Sequence, residues 1–69
     1  MQLSARNQFA GTVKDVKLGN IMAEIVVDIG GGHEVVAAIT RGSAERLGLA
    51  PGSAVTVVIK ATEVLVAKD

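Results

Sequence analysis

The chain has 69 residues, with seven basic and seven acidic side chains, no cysteine and a single aromatic residue, Phe9. That length allows one domain, residues 1–69, and the balanced charge offers no basic field for a nucleic acid. The lack of cysteine excludes a disulfide framework and thiolate metal sites, and fits a reducing compartment.

Alternation of β-branched and polar residues marks the elements in chain order. Asn7 to Leu18 predicts a long first strand. Phe9 and Val13 share one phase and Val16 and Leu18 the other, so a bulge or bend is expected near Lys14 and Asp15. "LGN" (Leu18 to Asn20) makes a turn. Ile21, Ala23, Ile25, Val27 and Ile29 form one face of a second strand, with Glu24 and Asp28 on the other. "GGG" (Gly30 to Gly32) reads as a hairpin turn into a third strand, His33 to Thr40. A phosphate-cradling loop would need a helix after it instead.

"TRGSAERLGLAPG" carries the helical signal, with Ser43 as the expected cap, Arg46 and Leu47 in the helix and Gly48 as its stop. Pro51 and Gly52 turn into a fourth strand, Ala54 to Lys60. "ATE" turns again into an expected fifth strand, Glu63 to Lys68. The fold class is all-β: a five-stranded OB-like barrel with one short helix between strands 3 and 4.

Both phases of several strands are apolar. Val35, Ala37 and Ile39 are backed by Val36 and Ala38, and Val55, Val57 and Ile59 by Val58. An antiparallel sheet in a monomer keeps one face wet, so the second face is expected to meet another subunit. A domain of this size buries only about 60% of its unfolded surface, which leaves it marginal alone. No apolar run approaches the ~18 residues of a membrane span, and the N-terminus has no apolar core of a signal peptide. The expectation is a cytoplasmic protein without a membrane partner.

Candidates for chemistry are few. His33, the only histidine, has no second ligand beside it and reads as a turn residue; no metal site is expected. No nucleophile elbow is present and the carboxylates are scattered, so catalysis has no candidate. What remains is a set of polar positions at strand ends: Ser4, Arg6 and Asn7, then Thr40, Arg41 and Ser43, then Lys60 and Thr62. Hydroxyls, N–H groups and one or two cations suit a small oxyanion. Each residue alone serves equally as a cap or a surface charge, and the opening "SARN" as a polar strand start.

"SARNQFAGTV", "TRGSAERLGLAPGS" and "VIKATEVLVAK", in that order from Leu3 to Lys68, resemble the molybdate-binding Mop proteins, or molbindins. These are relatives of the TOBE domains of molybdate transporters and regulators. The resemblance implies a barrel whose N-terminal strand is exchanged with a neighbouring subunit. It also implies a homo-oligomer, a hexamer built as a trimer of dimers, that holds molybdate or tungstate between chains without any cofactor. By position, Ser4, Ala5, Arg6 and Asn7 of one chain would meet Thr40, Ser43, Lys60 and Ala61 of its partner. Where some relatives have a serine, this chain has Ala61, which leaves only a backbone N–H there. A second oxyanion site falls by the same resemblance on Gly19, Asn20 and Ile21. The implied function is non-enzymatic storage of the anion. A nucleic-acid-binding OB module lacks its stacking aromatics here. A purely structural oligomerisation domain stays open until an anion titration decides.

Overall fold

The computed structural model describes residues 2–69. Four strands form one antiparallel sheet: β1 (Asn7–Leu18), β2 (Met22–Gly30), β3 (His33–Thr40) and β4 (Ala54–Ile59). A short helix, α1 (Arg41–Arg46), separates β3 from β4, and a single 3-10 turn, Ala61–Glu63, follows β4. The spatial order is β3-β2-β1-β4, so β3 and β4 are the free edges.

β1 is long enough to serve two partners. Asn7 to Thr12 pair with β4 and Thr12 to Leu18 with β2, so Thr12 faces both Ala54 and Asp28. The expected bulge is present. Val13 opposes Val27 and Asp15 opposes Val26, and the extra residue Lys14 moves the inward phase from Val13 to Val16. The strand thereby keeps an apolar side chain inward on both sides of the bend.

Val13, Ala23, Ile25 and Val27 are buried together with Ala44 of α1, and Val16, Ile29, Ala37, Ile39, Leu49, Val55 and Val57 pack around them. Ile21 departs from the expected β2 face. It precedes the strand and is 76% exposed, because the loop joining β1 to β2 must reverse the chain before the pairing begins. The triglycine segment is the expected hairpin turn. Gly30, Gly31 and Gly32 all have positive φ, and Asp28 Oδ1 accepts the Gly30 N–H at 2.8 Å.

The helix is capped one turn earlier than expected. Thr40, not Ser43, is the N-cap: it is extended, and its Oγ1 accepts the Ser43 N–H at 3.0 Å. The sequence offers two hydroxyls three residues apart, and the one at the strand end has the extended backbone that a cap requires. Gly48 ends the helix as expected, with φ of 63° and an N–H that donates to Glu45 O.

The fifth strand, expected over Glu63 to Lys68, is absent from the chain's own sheet. Glu63 lies in the 3-10 turn, and residues 64–69 have no sheet partner. Their β-branched, contiguous apolar run supplies strand propensity, but a strand also needs a neighbouring edge. Leu65 and Val66 are accordingly 95% and 91% exposed. The radius of gyration, 12.7 Å, exceeds the roughly 11 Å expected of a compact chain this long. On the second phase, Met22, Val36 and Val58 are exposed. β1 is paired with its own chain from end to end, and residues 2–6 and 64–69 lie beyond the first strand and the 3-10 turn.

Candidate oxyanion site

The polar strand ends gather into two clusters, one at each end of β1. The first joins the N-terminal segment to the end of β4. Asn7 opposes Ile59, and Asn7 Nδ2 donates to the Ile59 carbonyl at 3.2 Å. Gln8 Nε2 donates to Ala5 O at 2.6 Å and bends the segment just before β1. Lys60 follows β4, and its carbonyl accepts the Glu63 N–H at 2.9 Å, which turns Ala61 and Thr62 away from the sheet. Ser4, Arg6 and Lys60 are exposed, while Ala5 and Asn7 are half-buried. The "SARN" and lysine segments therefore adjoin within one chain. Arg6 precedes and Lys60 follows the clamped Asn7–Ile59 pair along their strands.

The second cluster sits where β1 turns into β2 and β3 runs into α1. Leu18 opposes Ala23, and Met22 opposes Thr40, so the Gly19–Ile21 loop and the Thr40–Ser43 turn lie side by side. Thr40 Oγ1 donates to Ser43 Oγ at 2.8 Å, and Arg46 Nη2 reaches the same Ser43 oxygen at 3.4 Å. Gly19 N–H donates to Met22 O at 2.7 Å, closing the loop tightly. A Cβ on Gly19 would stand 2.9 Å from that carbonyl oxygen, so the loop has no room for a side chain there.

Among the expected site residues, the structure brings the "SARN" segment beside the Lys60 segment through the Asn7–Ile59 pair. It unites Thr40 and Ser43 with Gly19, Asn20 and Ile21, and holds the two groups at opposite ends of a 12-residue strand. Arg41, a strand-end candidate that the resemblance places in neither site, joins the second cluster. Its backbone N–H donates to Ile21 O at 2.7 Å, and its Nη1 to Gly19 O at 3.3 Å. The sequence marks Arg41 as polar at a strand end, but its reach back across 22 residues depends on the β2–β3 register.

A third concavity surrounds the hairpin turn, lined by Lys14, Asp28, Gly31, His33 and Glu34. Lys14 Nζ bonds Glu34 Oε2 at 2.9 Å, which leaves Asp28 as excess negative charge. An oxyanion is repelled there. Among the described residues, no group of three His, Cys, Asp or Glu side chains is placed to hold a metal ion, and no helix is long and apolar enough to cross a membrane.

Residues 3–66 match the family model of the TOBE domain. The chain belongs to the TOBE domain family. It is 44% identical over 66 residues to molybdenum-pterin-binding protein 1 of Clostridium pasteurianum, covering 96% of this chain and 97% of that protein. A solved structure of a molybdate-binding protein from Sporomusa ovata superposes with a TM-score of 0.92. It is 48% identical, over 99% of this chain and 100% of that one. The cytoplasmic molybdate-binding protein ModG, solved with molybdate bound, superposes with a TM-score of 0.84 at 41% identity, over 88% of this chain and 43% of its own. For this TOBE domain, the four-stranded antiparallel sheet with one short helix is therefore the fold of known molybdate-binding proteins.

Proposed function

We propose that this TOBE domain binds molybdate, and tungstate by the same chemistry, as a non-enzymatic cytoplasmic store. The observation that carries the reading is the 48% identity to a molybdate-binding protein over 99% of the chain, at a TM-score of 0.92. Molybdate is a tetrahedral dianion, and its four oxygens call for several donors and at least one cation. Arg6 and Lys60 bring charge, Ser4 a hydroxyl, and Asn7, Ala5 and Ala61 backbone N–H groups.

Thr40 and Ser43 belong to the same site only if a second copy supplies them, since one chain keeps them at the far end of β1. That separation supports a site shared between subunits of a homo-oligomer, and a hexamer built as a trimer of dimers is the proposed assembly. The unpaired apolar residues 64–69 support the same conclusion, because a neighbour's free β3 or β4 edge would make them the fifth strand of a closed barrel. The Gly19–Ile21 loop is the proposed second oxyanion site.

Native mass spectrometry with and without sodium molybdate tests this directly, because subunit count and bound anions are read together. Saturable uptake of molybdate by an oligomer is expected. An oligomer that takes up none is a scaffold, and a compact monomer removes the shared site.

A further inference from the structure

We propose that Arg41 is the cation of the oxyanion site on the Gly19–Ile21 loop, and that Glu45 holds its charge in check. The inference rests on the oxyanion-binding reading above and supplies what the loop lacks. The Gly19 N–H is taken by Met22 O, so the loop offers the Asn20 and Ile21 N–H groups and one side-chain amide, but no positive charge. A dianion leaving water for such a loop needs a charged partner to offset its desolvation.

Arg41 is already fixed on this loop. Its backbone N–H is bonded to Ile21 O and its Nη1 to Gly19 O, while Nε donates to Glu45 Oε1 at 2.8 Å. A guanidinium has five N–H donors. Two are engaged here, which leaves three N–H donors on Nη1 and Nη2 without a bond to the described residues. An ordinary ion pair one helical turn apart accounts for Glu45 but not for the reach to Gly19. The other nearby charges, Lys17 and Glu24, stand opposite each other on β1 and β2 and offset one another. On α1, two cations, Arg41 and Arg46, stand against one carboxylate, Glu45, so the helix carries net positive charge.

Two substitutions with opposite expected signs separate this role from a structural one. Arg41→Gln removes the cation and should weaken molybdate binding at this site about ten- to a hundredfold, with the Lys60 site unchanged. Glu45→Gln frees the guanidinium and should tighten binding about two- to fivefold. A purely structural network would lose affinity, or nothing, in both. Sodium molybdate titrations by calorimetry, with native mass spectrometry to count anions, read both effects against wild type and Lys60→Ala. If Arg41→Gln does not assemble, Arg41→Lys and Glu45→Gln carry the test, with the lysine expected to retain part of the affinity. Unchanged anion count and affinity in the Arg41 variant, or no gain in Glu45→Gln, overturns the inference. Wild-type protein that binds no molybdate overturns the proposed function itself, which is a distinct result.

Discussion

Asn7 stands opposite Ile59, and its side-chain amide donates to the Ile59 carbonyl across that pair. One bond thereby ties the last residue of "SARN" to the residue before Lys60. Asn7→Ala should remove about 1 kcal/mol of stability, as for a typical intramolecular hydrogen bond. It should also weaken molybdate binding, because the segments carrying Arg6 and Lys60 lose the bond that ties them. Denaturant melts and anion titrations on the same variant check both. A stability loss with full affinity would leave Asn7 as a clamp on the sheet alone.

Gly11 lies where β1 passes from one partner strand to the other. A Cβ there would stand 2.7 Å from Asp28 O and 2.7 Å from Val27 Cγ1. The first of these is backbone and cannot step aside, so Gly11→Ala should destabilise by about 1–3 kcal/mol. Gly42 is the contrast. It sits inside α1 with nothing within 4 Å of its virtual Cβ, so Gly42→Ala should stabilise by about 0.5–1 kcal/mol. Thermal melts of the pair give opposite shifts if the sheet crossing, and not glycine content, sets the constraint.

Strands were legible wherever period and neighbour agreed. The β1 bulge could be read from Phe9 and Val13 against Val16 and Leu18, because a change of phase has no other economical cause in a strand buried on one side. Val64 to Val66 have strand-forming side chains, yet they form no strand in the chain's own sheet. Propensity is local, whereas a free edge is a property of the whole sheet. The cap was ambiguous for a related reason: Thr40 and Ser43 both bear hydroxyls, and the extended backbone of Thr40 alone settles which one caps. Arg41 illustrates the limit for sites. Its contact with Gly19 exists only because Met22 pairs with Thr40.

The hairpin ion pair gives a pH dependence at the alkaline end only. The hydrogen bond to Glu34 raises the Lys14 pKa above its ordinary value; the Glu34 charge adds to this, burial opposes it slightly, and Asp28 contributes last. A raised folded-state value means the contribution is full below the unfolded pKa of about 10.4 and fades as pH climbs through the higher folded one. Both side chains are exposed, so the effect is small and salt-screened. Nitrogen-15 NMR of the lysine ammonium should show Lys14 titrating above its ordinary value. In Glu34→Gln it should titrate at lower pH than in the wild type, because the first two causes of the raised value are gone.

Leu65 and Val66 carry the sharpest prediction about assembly. Side chains 95% and 91% exposed on an unpaired apolar segment are costly to keep in water, and burying one leucine contributes about 1.5–3 kcal/mol. If a neighbouring copy receives residues 64–69 against its free β3 or β4 edge, that energy is spread over every interface of the oligomer. Leu65→Asp would place an unpaired charge in each of those contacts. Sedimentation at low micromolar concentration should then show a smaller assembly than wild type, and deletion of residues 64–69 should do the same. The isolated sheet should survive, because Val13, Ala23, Ile25, Val27 and Ala44 form its core without any residue of the tail. Circular dichroism therefore distinguishes a dissociated but folded chain from an unfolded one. An unchanged sedimentation coefficient in both variants would place the tail outside the interface, and the barrel would then close by another route.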